Sequence, residues 1–466
     1  MKKLITIAIF IVLQIGNTYG QSTEKLKLYS IKELQNDVDS LTKYIEETHV
    51  NAFYKFPKNK FFKEADSIKS AIIKPLNVFD FYFLTASLIA KLEDGHTSLM
   101  FPLKEYFDLN PCFFPYHDKL SNKEPFISII SPFQTIKSEI PSKAEIISIN
   151  GIESNKIIKD IIKFNSGESD NIKLDHGTNF FLCYLNKLYG MTDSYKVKYK
   201  INDKLETKNI DGIKYDALIK QMKQDTTKES TSEQVDYSLK LLSETKTAII
   251  DFERFNDAKK FSVFIDSAFG QIKTNKIENL IIDIRNNGGG DSQIGDIFFQ
   301  YISHVPYIQY LKDKIKYSNL QKENYKMRFS MSQDSSWLYS INKPNGLIEE
   351  ENDSSTMKLQ DNPLRFNGNV YLLTSISTFS SAACFAQCFK YYKMGKIIGE
   401  ETGGWIIHYG DVINASLPNT KLNLTISHKL WYEIGAEEND FHGTIPDINV
   451  PSEKALDYTI ELIKKK

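Results

Sequence analysis

The sequence predicts an α/β fold for the C-terminal half of the chain, because short apolar runs there alternate with helical patterns. Thr247–Phe252 and Leu280–Ile284 read as buried strands, and the second leads through a glycine-rich turn into a helix. Val370–Thr374 is a further buried strand, and Ser380–Lys390 has the Ala, Phe and Gln content of a helix. Strands that alternate with helices are typical of an α/β core.

Ser380 lies where the last of these strands gives way to its helix. A hydroxyl at such a point is exposed, and the first free backbone N–H groups of the helix point towards the group that it attacks. This geometry suits a serine nucleophile and its oxyanion hole. Serines at helix starts are more often N-caps, so this segment alone leaves both interpretations open.

Glycines follow the strand Leu280–Ile284 without interruption from Gly288 to Gly290. Residues without a Cβ let the backbone approach a ligand closely and direct amides at it. A plain strand–helix turn and a phosphate-binding loop are the alternatives. The segment lacks the Lys-Ser/Thr pair that a nucleoside triphosphate loop carries.

His96 follows an apolar helical stretch, Phe81–Leu92, and stands next to Gly95. A histidine beside a glycine after a helix is expected on a loop, where functional residues collect. An imidazole is the usual partner of a serine nucleophile at neutral pH, which makes His96 a candidate general base. A purely structural histidine is the alternative.

Together, these segments resemble the serine peptidases that include the C-terminal processing (tail-specific) proteases and the tricorn core protease. The blocks occur in the order that the family has, and the resemblance implies a ClpP/crotonase-like α/β catalytic core behind an N-terminal helical region. The matching blocks are Leu92–Thr97, Asp283–Gly290, Thr378–Ala383, Ile397–Gly404 and Gly443–Ile448.

The family has two catalytic arrangements, and one position helps to choose between them. The processing proteases pair the serine with a lysine, but Trp405 occupies the matching position here, and no lysine lies between Lys396 and Lys421. The tricorn-like branch pairs the serine with a histidine. The resemblance therefore implies Ser380 as nucleophile and His96 as general base.

The same branch implies the remaining site residues. Asp440 stands where tricorn-like members carry an acidic residue that helps to hold the imidazole, and Gly289 and Ser381 match the backbone donors of the oxyanion hole. Two positions depart from the family pattern. Gly95 replaces the serine that precedes the histidine in tricorn, and Ala383 replaces a glutamate found in many relatives.

The resemblance implies peptide-bond hydrolysis through an acyl-enzyme, with a peptide or protein as substrate and no metal or organic cofactor. A catalytically weak or inactive relative that binds peptides in the same cleft, and an esterase, are the alternatives. Three further histidines are candidate metal ligands, namely His408, His428 and His442. Their spacing is not that of a zinc site, and we interpret them as surface or strand residues.

Composition and the N-terminus indicate an exported protein. The chain has 466 residues, 41% hydrophobic, with a net charge of −1, and shows no basic patch for nucleic acid. Residues 1–20 read as a signal peptide cleaved near Gly20, which implies a periplasmic or secreted protein, and an uncleaved anchor is the alternative. No cysteine is expected to act as the nucleophile, and the cysteines are Cys112, Cys183, Cys384 and Cys388.

The pattern along the chain predicts several domains. The region at 98–220 is β-rich and is either a degenerate PDZ-like domain or an ordinary β-rich insertion, since residues 165–190 interrupt the PDZ-like pattern. The predicted boundaries are 1–20 for the signal peptide, 21–97 for the helical region, 98–220 for the β-rich domain, 221–234 for a linker and 235–466 for the peptidase core, with an insertion at about 310–362.

Overall fold

A computed structural model describes residues 26–133, 139–190, 192–226, 236–329, 337–352 and 356–465. The predicted signal peptide lies outside the described residues, and so does most of the predicted linker. A helix, Tyr215–Thr226, covers the beginning of that linker. Among the described residues, no helix is long and apolar enough to cross a membrane.

The described elements are numbered in chain order. The helices are α1 Ile31–Thr48, α2 Lys58–Ala71, α3 Val78–Ile89, α4 Leu103–Asp108, α5 Ser154–Phe164, α6 Asp170–Thr178, α7 Phe181–Tyr189, α8 Tyr215–Thr226, α9 Ala258–Thr274, α10 Gln293–Ile302, α11 Asn319–Phe329, α12 Trp337–Ile341, α13 Ser381–Tyr391 and α14 Ser452–Lys464. The strands are β1 Ser98–Leu99, β2 Cys112–Phe113, β3 Tyr116–Leu120, β4 Ile127–Pro132, β5 Glu145–Ile149, β6 Ile152–Glu153, β7 Ser194–Ile201, β8 Lys204–Asp211, β9 Ile213–Lys214, β10 Tyr237–Leu242, β11 Thr247–Phe252, β12 Asn279–Asp283, β13 Tyr310–Lys316, β14 Ile348–Asn352, β15 Asn369–Thr374, β16 Lys396–Gly399, β17 Ile407–Ser416, β18 Asn423–Glu433 and β19 Ile448–Asn449.

The chain divides into two compact units. The first holds the described residues before 232, together with 318–342 and 412–427. The second holds the described residues from 236 to 317, 343–411 and 428–465. The stretch predicted as an insertion at about 310–362 is therefore divided, because β13 and β14 pair with each other in the second unit whereas 318–329 and 337–342 belong to the first.

The first unit combines helices with an antiparallel sheet around one apolar core. Helix α1 begins with a capping box, in which Ser30 and Glu33 satisfy each other's backbone N–H groups. The sheet has the order β3-β4-β5-β7-β8, and β6 pairs with β5. Helices α6 and α7 occupy the stretch that interrupts the PDZ-like sequence pattern, and the PDZ-like description stays a prediction.

A buried carboxylate ties two distant segments of the first unit together. Asp37 on α1 is fully buried and accepts hydrogen bonds from the backbone N–H and side-chain amide of Asn419, at 2.9 and 2.8 Å. Its other oxygen accepts from the backbone N–H and hydroxyl of Thr420, at 2.8 and 2.6 Å. These four donors compensate the cost of burying the charge.

The second unit is built on a sheet of order β10-β11-β12-β15-β16-β19, in which every pair except β10 with β11 is parallel. Apolar side chains of β12 alternate between two clusters. Leu280 and Ile282 pack in one cluster, whereas Ile281 packs in the other with Ala455 of α14. Both faces are therefore covered, which explains why β11, β12 and β15 read as continuous apolar runs. The α/β fold predicted for this half is confirmed, with β11 ending at the predicted residues.

The ends of the parallel strands carry the loops that matter for function. The turn after β12 contains the triple glycine, and the turn after β15 contains Ser380. Arg285 closes the end of β12, because its guanidinium donates to both carboxylate oxygens of Asp283, at 2.8 and 2.5 Å, and to the carbonyl of Ser452 at 2.6 Å.

All four cysteines are buried, and none of them forms a disulfide.

Candidate active site

Ser380 occupies a strained turn directly before α13. Its φ is 52° and its ψ is −132°, a region that side chains other than glycine rarely adopt. It stands at the N-cap position, yet its side chain makes no capping hydrogen bond. The N-cap role that the sequence left open is therefore not the role of this hydroxyl. A non-glycine residue held at positive φ between strand and helix is also the backbone device by which hydrolase nucleophiles are exposed.

The preceding residues hold the turn by hydrogen bonds to the end of β12. The Thr378 hydroxyl donates to the carbonyl of Ile284 at 2.9 Å and accepts the N–H of Ser375 at 3.0 Å. The N–H of Phe379 donates to the carbonyl of Asn287 at 3.0 Å. The two turns that end β12 and β15 are thereby joined, which positions the glycines against the serine.

Gly289 touches the serine turn so closely that no side chain fits. A Cβ at this position would lie 2.8 Å from the Cβ of Ser380 and 2.8 Å from the N of Ser381. The φ of Gly289 is +94°, which also favours glycine. On the other flank, a Cβ at Gly404 would lie 2.9 Å from the N of Ser380. Glycine is required on both flanks because the backbones approach each other there.

Some backbone N–H groups at this turn already donate a hydrogen bond, whereas others do not. The N–H of Gly289 donates to the side-chain oxygen of Asn287 at 2.9 Å. Within the second unit as described, the N–H groups of Ser381 and Gly290 donate no hydrogen bond. Asn287 is fully buried, and its amide also donates to the carbonyl of Phe252 at 2.8 Å. The turn thus offers N–H groups at the start of α13, where the helix dipole favours negative charge.

His96 lies in the first unit, on the loop between α3 and β1. Its backbone is held on both sides: the N–H donates to Asp94 Oδ1 at 2.9 Å, and the carbonyl accepts from the Thr425 hydroxyl at 2.8 Å. The next residue, Thr97, is buried and accepts the N–H of Ser427 at 3.0 Å through its hydroxyl. The side chain of His96 is 13% exposed, so the ring is largely shielded but reachable.

Asp94 is the buried acid of this loop, two residues before His96. It is fully buried, and its Oδ2 lies 3.0 Å from Nε2 of the buried His49. Burial opposes the charge of Asp94, but the hydrogen bond and charge of His49, followed by the charge of His96, hold the pKa of Asp94 below its usual range. His49 in turn accepts the N–H of Asn51 at Nδ1, at 3.0 Å. These contacts therefore keep Asp94 ionised next to His96.

Glu168 completes a cluster in the first unit that sequence reasoning missed. One carboxylate oxygen of Glu168, one of Asp94 and a ring nitrogen of His96 all lie within 4.8 Å of one another. Among the described side chains, these three form a group that has the spacing and chemistry to hold a metal ion. No sequence signal marks Glu168, because it lies in the stretch 165–190 that interrupts the PDZ-like pattern.

Asp440 and the other histidines of the sequence analysis lie in the second unit. Asp440 accepts the N–H of Glu437 at 2.8 Å, and its Oδ1 lies 3.6 Å from Nε2 of His442, whose side chain is 42% exposed. His408 and His428 lie on strands and are buried. These positions agree with the interpretation of the three histidines as strand or surface residues.

A buried acid accompanies one of these histidines. Glu433 Oε1 lies 3.4 Å from His408 Nδ1, and neither carboxylate oxygen has a hydrogen-bond partner among the described residues. Burial raises the pKa of Glu433 well above its usual range, so the group is held in its neutral form.

Comparisons with known proteins agree with the fold. Residues 246–450 match the model of Peptidase family S41. Mature CPAF has a TM-score of 0.63 at 12% identity, covering 93% of this chain and 97% of that chain, and CPAF complexed with lactacystin has 0.61 at 14%, covering 93% and 98%. The photosystem II D1 C-terminal processing protease has a TM-score of 0.45 at 13%, covering 90% and 93%. A comparison with curated sequences gives no match.

The match to the family model spans β11 to β19, and this range contains the glycine turn, Ser380 and the block Gly443–Ile448. At these identities the likeness to CPAF shows a shared fold over nearly the whole of both chains. Residues 246–450 form a domain of Peptidase family S41, and the protein is a serine-type peptidase.

Proposed function

We propose that this peptidase is exported and hydrolyses peptide bonds through an acyl-enzyme on Ser380, with His96 as the general base. The observation that carries the proposal is the turn at Ser380, where φ is positive and the hydroxyl does not cap the helix. The adjacent N–H of Ser381 donates to no described residue of its unit. A serine of this kind presents its hydroxyl beside a backbone donor.

In the proposed reaction, His96 takes the hydroxyl proton of Ser380 as the oxygen attacks the carbonyl carbon of the scissile bond. The carbonyl becomes an oxyanion, and the imidazolium then gives its proton to the leaving amine as the C–N bond breaks. Water, deprotonated by the same imidazole, attacks the resulting ester and frees Ser380. Asp440 is proposed to stabilise the imidazolium by its negative charge.

The proposed oxyanion hole consists of the N–H groups of Ser381 and Gly289. Gly289 donates to Asn287 in the resting turn, at 2.9 Å. A developing oxyanion is a stronger acceptor than a neutral amide oxygen, so the N–H is expected to turn towards it. Gly290 supplies a second N–H in the same turn. Its donor role would become apparent if substitutions at Gly289 spared turnover.

Export is proposed from residues 1–20 of the sequence, where two lysines precede an apolar stretch. The expected location is the periplasm or the medium. Edman sequencing of the protein recovered from the producing cell tests this, because cleavage near Gly20 should leave a mature chain that begins just after it.

Covalent labelling tests the chemistry. The intact protein should react with a fluorophosphonate at Ser380, and Ser380→Ala should abolish the label while leaving the circular dichroism spectrum unchanged. Lactacystin, with which CPAF forms a complex, is a second probe of the same hydroxyl. Ser377→Ala is the matched control, because it removes a neighbouring hydroxyl from the same turn.

The outcomes separate the candidate functions. Labelling with turnover of a peptide library supports the peptidase. Labelling with turnover of acyl esters alone would indicate an esterase. A chain that binds peptides without labelling or turnover would be an inactive relative, and the proposed chemistry would be wrong.

A further inference from the structure

The cluster of Asp94, His96 and Glu168 brings together donor atoms from two segments of the first unit. Asp94 and His96 lie on the loop between α3 and β1, and Glu168 lies on the connection between α5 and α6. One oxygen from each carboxylate and one ring nitrogen of His96 lie within 4.8 Å of one another. Two carboxylate oxygens and an imidazole nitrogen are a donor set that suits a divalent transition metal ion such as Zn²⁺.

The three donor atoms surround a point that a small cation can occupy. Atoms that all lie within 4.8 Å of one another have a common centre no more than about 2.8 Å from each, whereas Zn²⁺ binds oxygen and nitrogen at about 2.0–2.2 Å. Each donor atom would therefore move inward by less than about 1 Å to bind the ion. The side chain of His96 is 13% exposed, which leaves one of the three donor groups in contact with solvent.

Glu168 supplies a separate observation that points to a ligand. The residue is 7% exposed, and its Oε1 accepts the N–H of Gly95 at 3.1 Å. Its Oε2 has no hydrogen-bond partner among the described residues. Both oxygens are bonded to one carbon, so Oε2 either is the oxygen that belongs to the cluster or is the atom beside it. A buried carboxylate oxygen without a donor is a place where an ion or a water molecule is expected.

His49 holds the carboxylate of Asp94 in place from outside the cluster. Nε2 of His49 lies 3.0 Å from Asp94 Oδ2, and Nδ1 of His49 accepts the N–H of Asn51 at 3.0 Å. The hydrogen of the His49 ring is therefore on Nε2, which donates to Asp94. Carboxylates that bind metal ions are commonly oriented by an outer hydrogen bond of this kind.

The charges around the cluster favour a cation. Asp94 and Glu168 place two carboxylates within 4.8 Å of each other, and Glu93 precedes Asp94 in the chain. The lysine that forms an ion pair here, among the described residues, is Lys173, whose ammonium lies 3.5 Å from Glu93. Like charges at such a separation in a buried site repel each other. A divalent cation between Asp94 and Glu168 would compensate both carboxylates at once.

We propose that Asp94, His96 and Glu168 form an inhibitory site for a divalent transition metal ion, with Zn²⁺ as an ion that fits these donors. A neutral imidazole has one nitrogen with a lone pair and one N–H. A cation on His96 takes this lone pair, and the other nitrogen keeps its proton, so the ring cannot accept the proton of Ser380. Binding of the ion is independent of the proposed function, whereas its effect on turnover rests on the proposed role of His96 as base.

Calorimetry tests binding without turnover. The Ser380→Ala protein should bind one Zn²⁺ per chain after treatment with EDTA, and Glu168→Gln in this background should weaken binding by at least about 10- to 100-fold, the loss seen when even a supporting group is removed. His96→Gln should have a similar effect, and circular dichroism checks that both variants are folded. Asp170→Asn is the matched control, because it neutralises an exposed acid two residues after Glu168 and should leave binding unchanged.

Two calorimetric outcomes would overturn the proposal. One is the absence of stoichiometric binding, or equal binding in the Ser380→Ala protein and in its Glu168→Gln and His96→Gln variants. The other is binding that only His442→Ala removes, which would locate the ion at His442, whose side chain is 42% exposed.

Turnover tests the inhibitory role. Zn²⁺ should inhibit the active protein at the concentrations that saturate the site, and EDTA should restore the rate. Glu168→Gln should need at least about 10-fold more Zn²⁺ for the same fractional inhibition of its own metal-free rate. Saturation of the cluster by Zn²⁺ without loss of turnover would overturn the inhibitory role. Full activity of His96→Ala would instead overturn the proposed function and leave the calorimetric result unaffected.

Discussion

The Cα of Gly289 faces the Cβ of Ser380 so closely that a methyl group on the glycine would lie 2.8 Å from the serine side chain. The two residues come from turns at the ends of β12 and β15, neighbouring parallel strands paired in register from Asn279 and Asn369 onwards. Equal strand ends bring both turns to the same edge of the sheet. The backbone amides of one turn therefore lie beside the hydroxyl of the other.

Substitution of Gly289 should damage turnover more than binding. Gly289→Val places a branched side chain against Phe379, Ser380 and Ser381 at a φ of +94°, so the turn must shift and its N–H groups with it. N–H donors that stabilise the negative charge developing in the transition state contribute to kcat, and loss of one lowers kcat by about 10²- to 10³-fold. Steady-state kinetics with one peptide substrate measures the effect.

The matched control is the preceding glycine. A Cβ at Gly288 meets no atom within 4 Å, so Gly288→Ala should leave kcat and KM nearly unchanged. If both variants lose turnover equally, the close approach at Gly289 is not the cause.

Asp37 should contribute strongly to the stability of the first unit. Asp37→Ala would leave four donors of Asn419 and Thr420 without their acceptor in a buried site, and we expect a loss of about 3–5 kcal/mol in the free energy of unfolding. Urea denaturation followed by fluorescence checks this. Asp39→Ala on the same helix removes an exposed pair with Lys69 and should cost less than about 1 kcal/mol. Similar losses in the two variants would contradict the buried network.

The α/β core and the serine turn could be predicted from the sequence because they depend on local pattern. β12 and β15 are covered on both faces, so they appear as apolar runs, and the glycines after β12 are needed for the approach to Ser380. The strained φ of Ser380 and its missing cap were not predictable, because they arise from hydrogen bonds between two turns far apart in the sequence.

Glu168 and His49 were missed for the same kind of reason. Their relation to Asp94 is made by the packing of distant segments, and each alone looks like an ordinary charged or polar residue. The described residues of 318–329 and 337–342 likewise join the first unit, although the segments on either side in sequence lie in the second. Such assignments depend on tertiary contacts that no periodicity records.

Stability should depend on pH through Glu168. Burial and Asp94 raise its pKa in the folded protein to about 8, above the ordinary value of 4.5, so the folded protein binds more protons than the unfolded chain between these values. This contribution to stability is fully present below about pH 4.5 and is lost as the pH rises towards about 8. Glu168→Gln does not ionise, so its Tm relative to the parent chain should increase across that window. A constant difference from pH 4.5 to pH 9, measured by calorimetry, would show that Glu168 does not hold its proton.

The identity of the general base can be decided by pH and substitution together. If His96 is the base, kcat/KM should rise with pH along an acidic limb, because only the neutral ring accepts the proton of Ser380. His96→Ala should remove this acidic limb and lower turnover by about 10⁴-fold, as for other members of a coupled catalytic unit. Asp440→Asn should keep the acidic limb and lower turnover less, since a carboxylate that stabilises an imidazolium supports the base without replacing it.

His408→Ala serves as the control, because this ring lies buried beside Glu433. A lysine base would place its limb higher, since its pKa must be depressed by burial to act at all. Full activity in His96→Ala, with the limb lost in His408→Ala or in a lysine variant, would move the base elsewhere and would show that the Ser–His assignment is wrong.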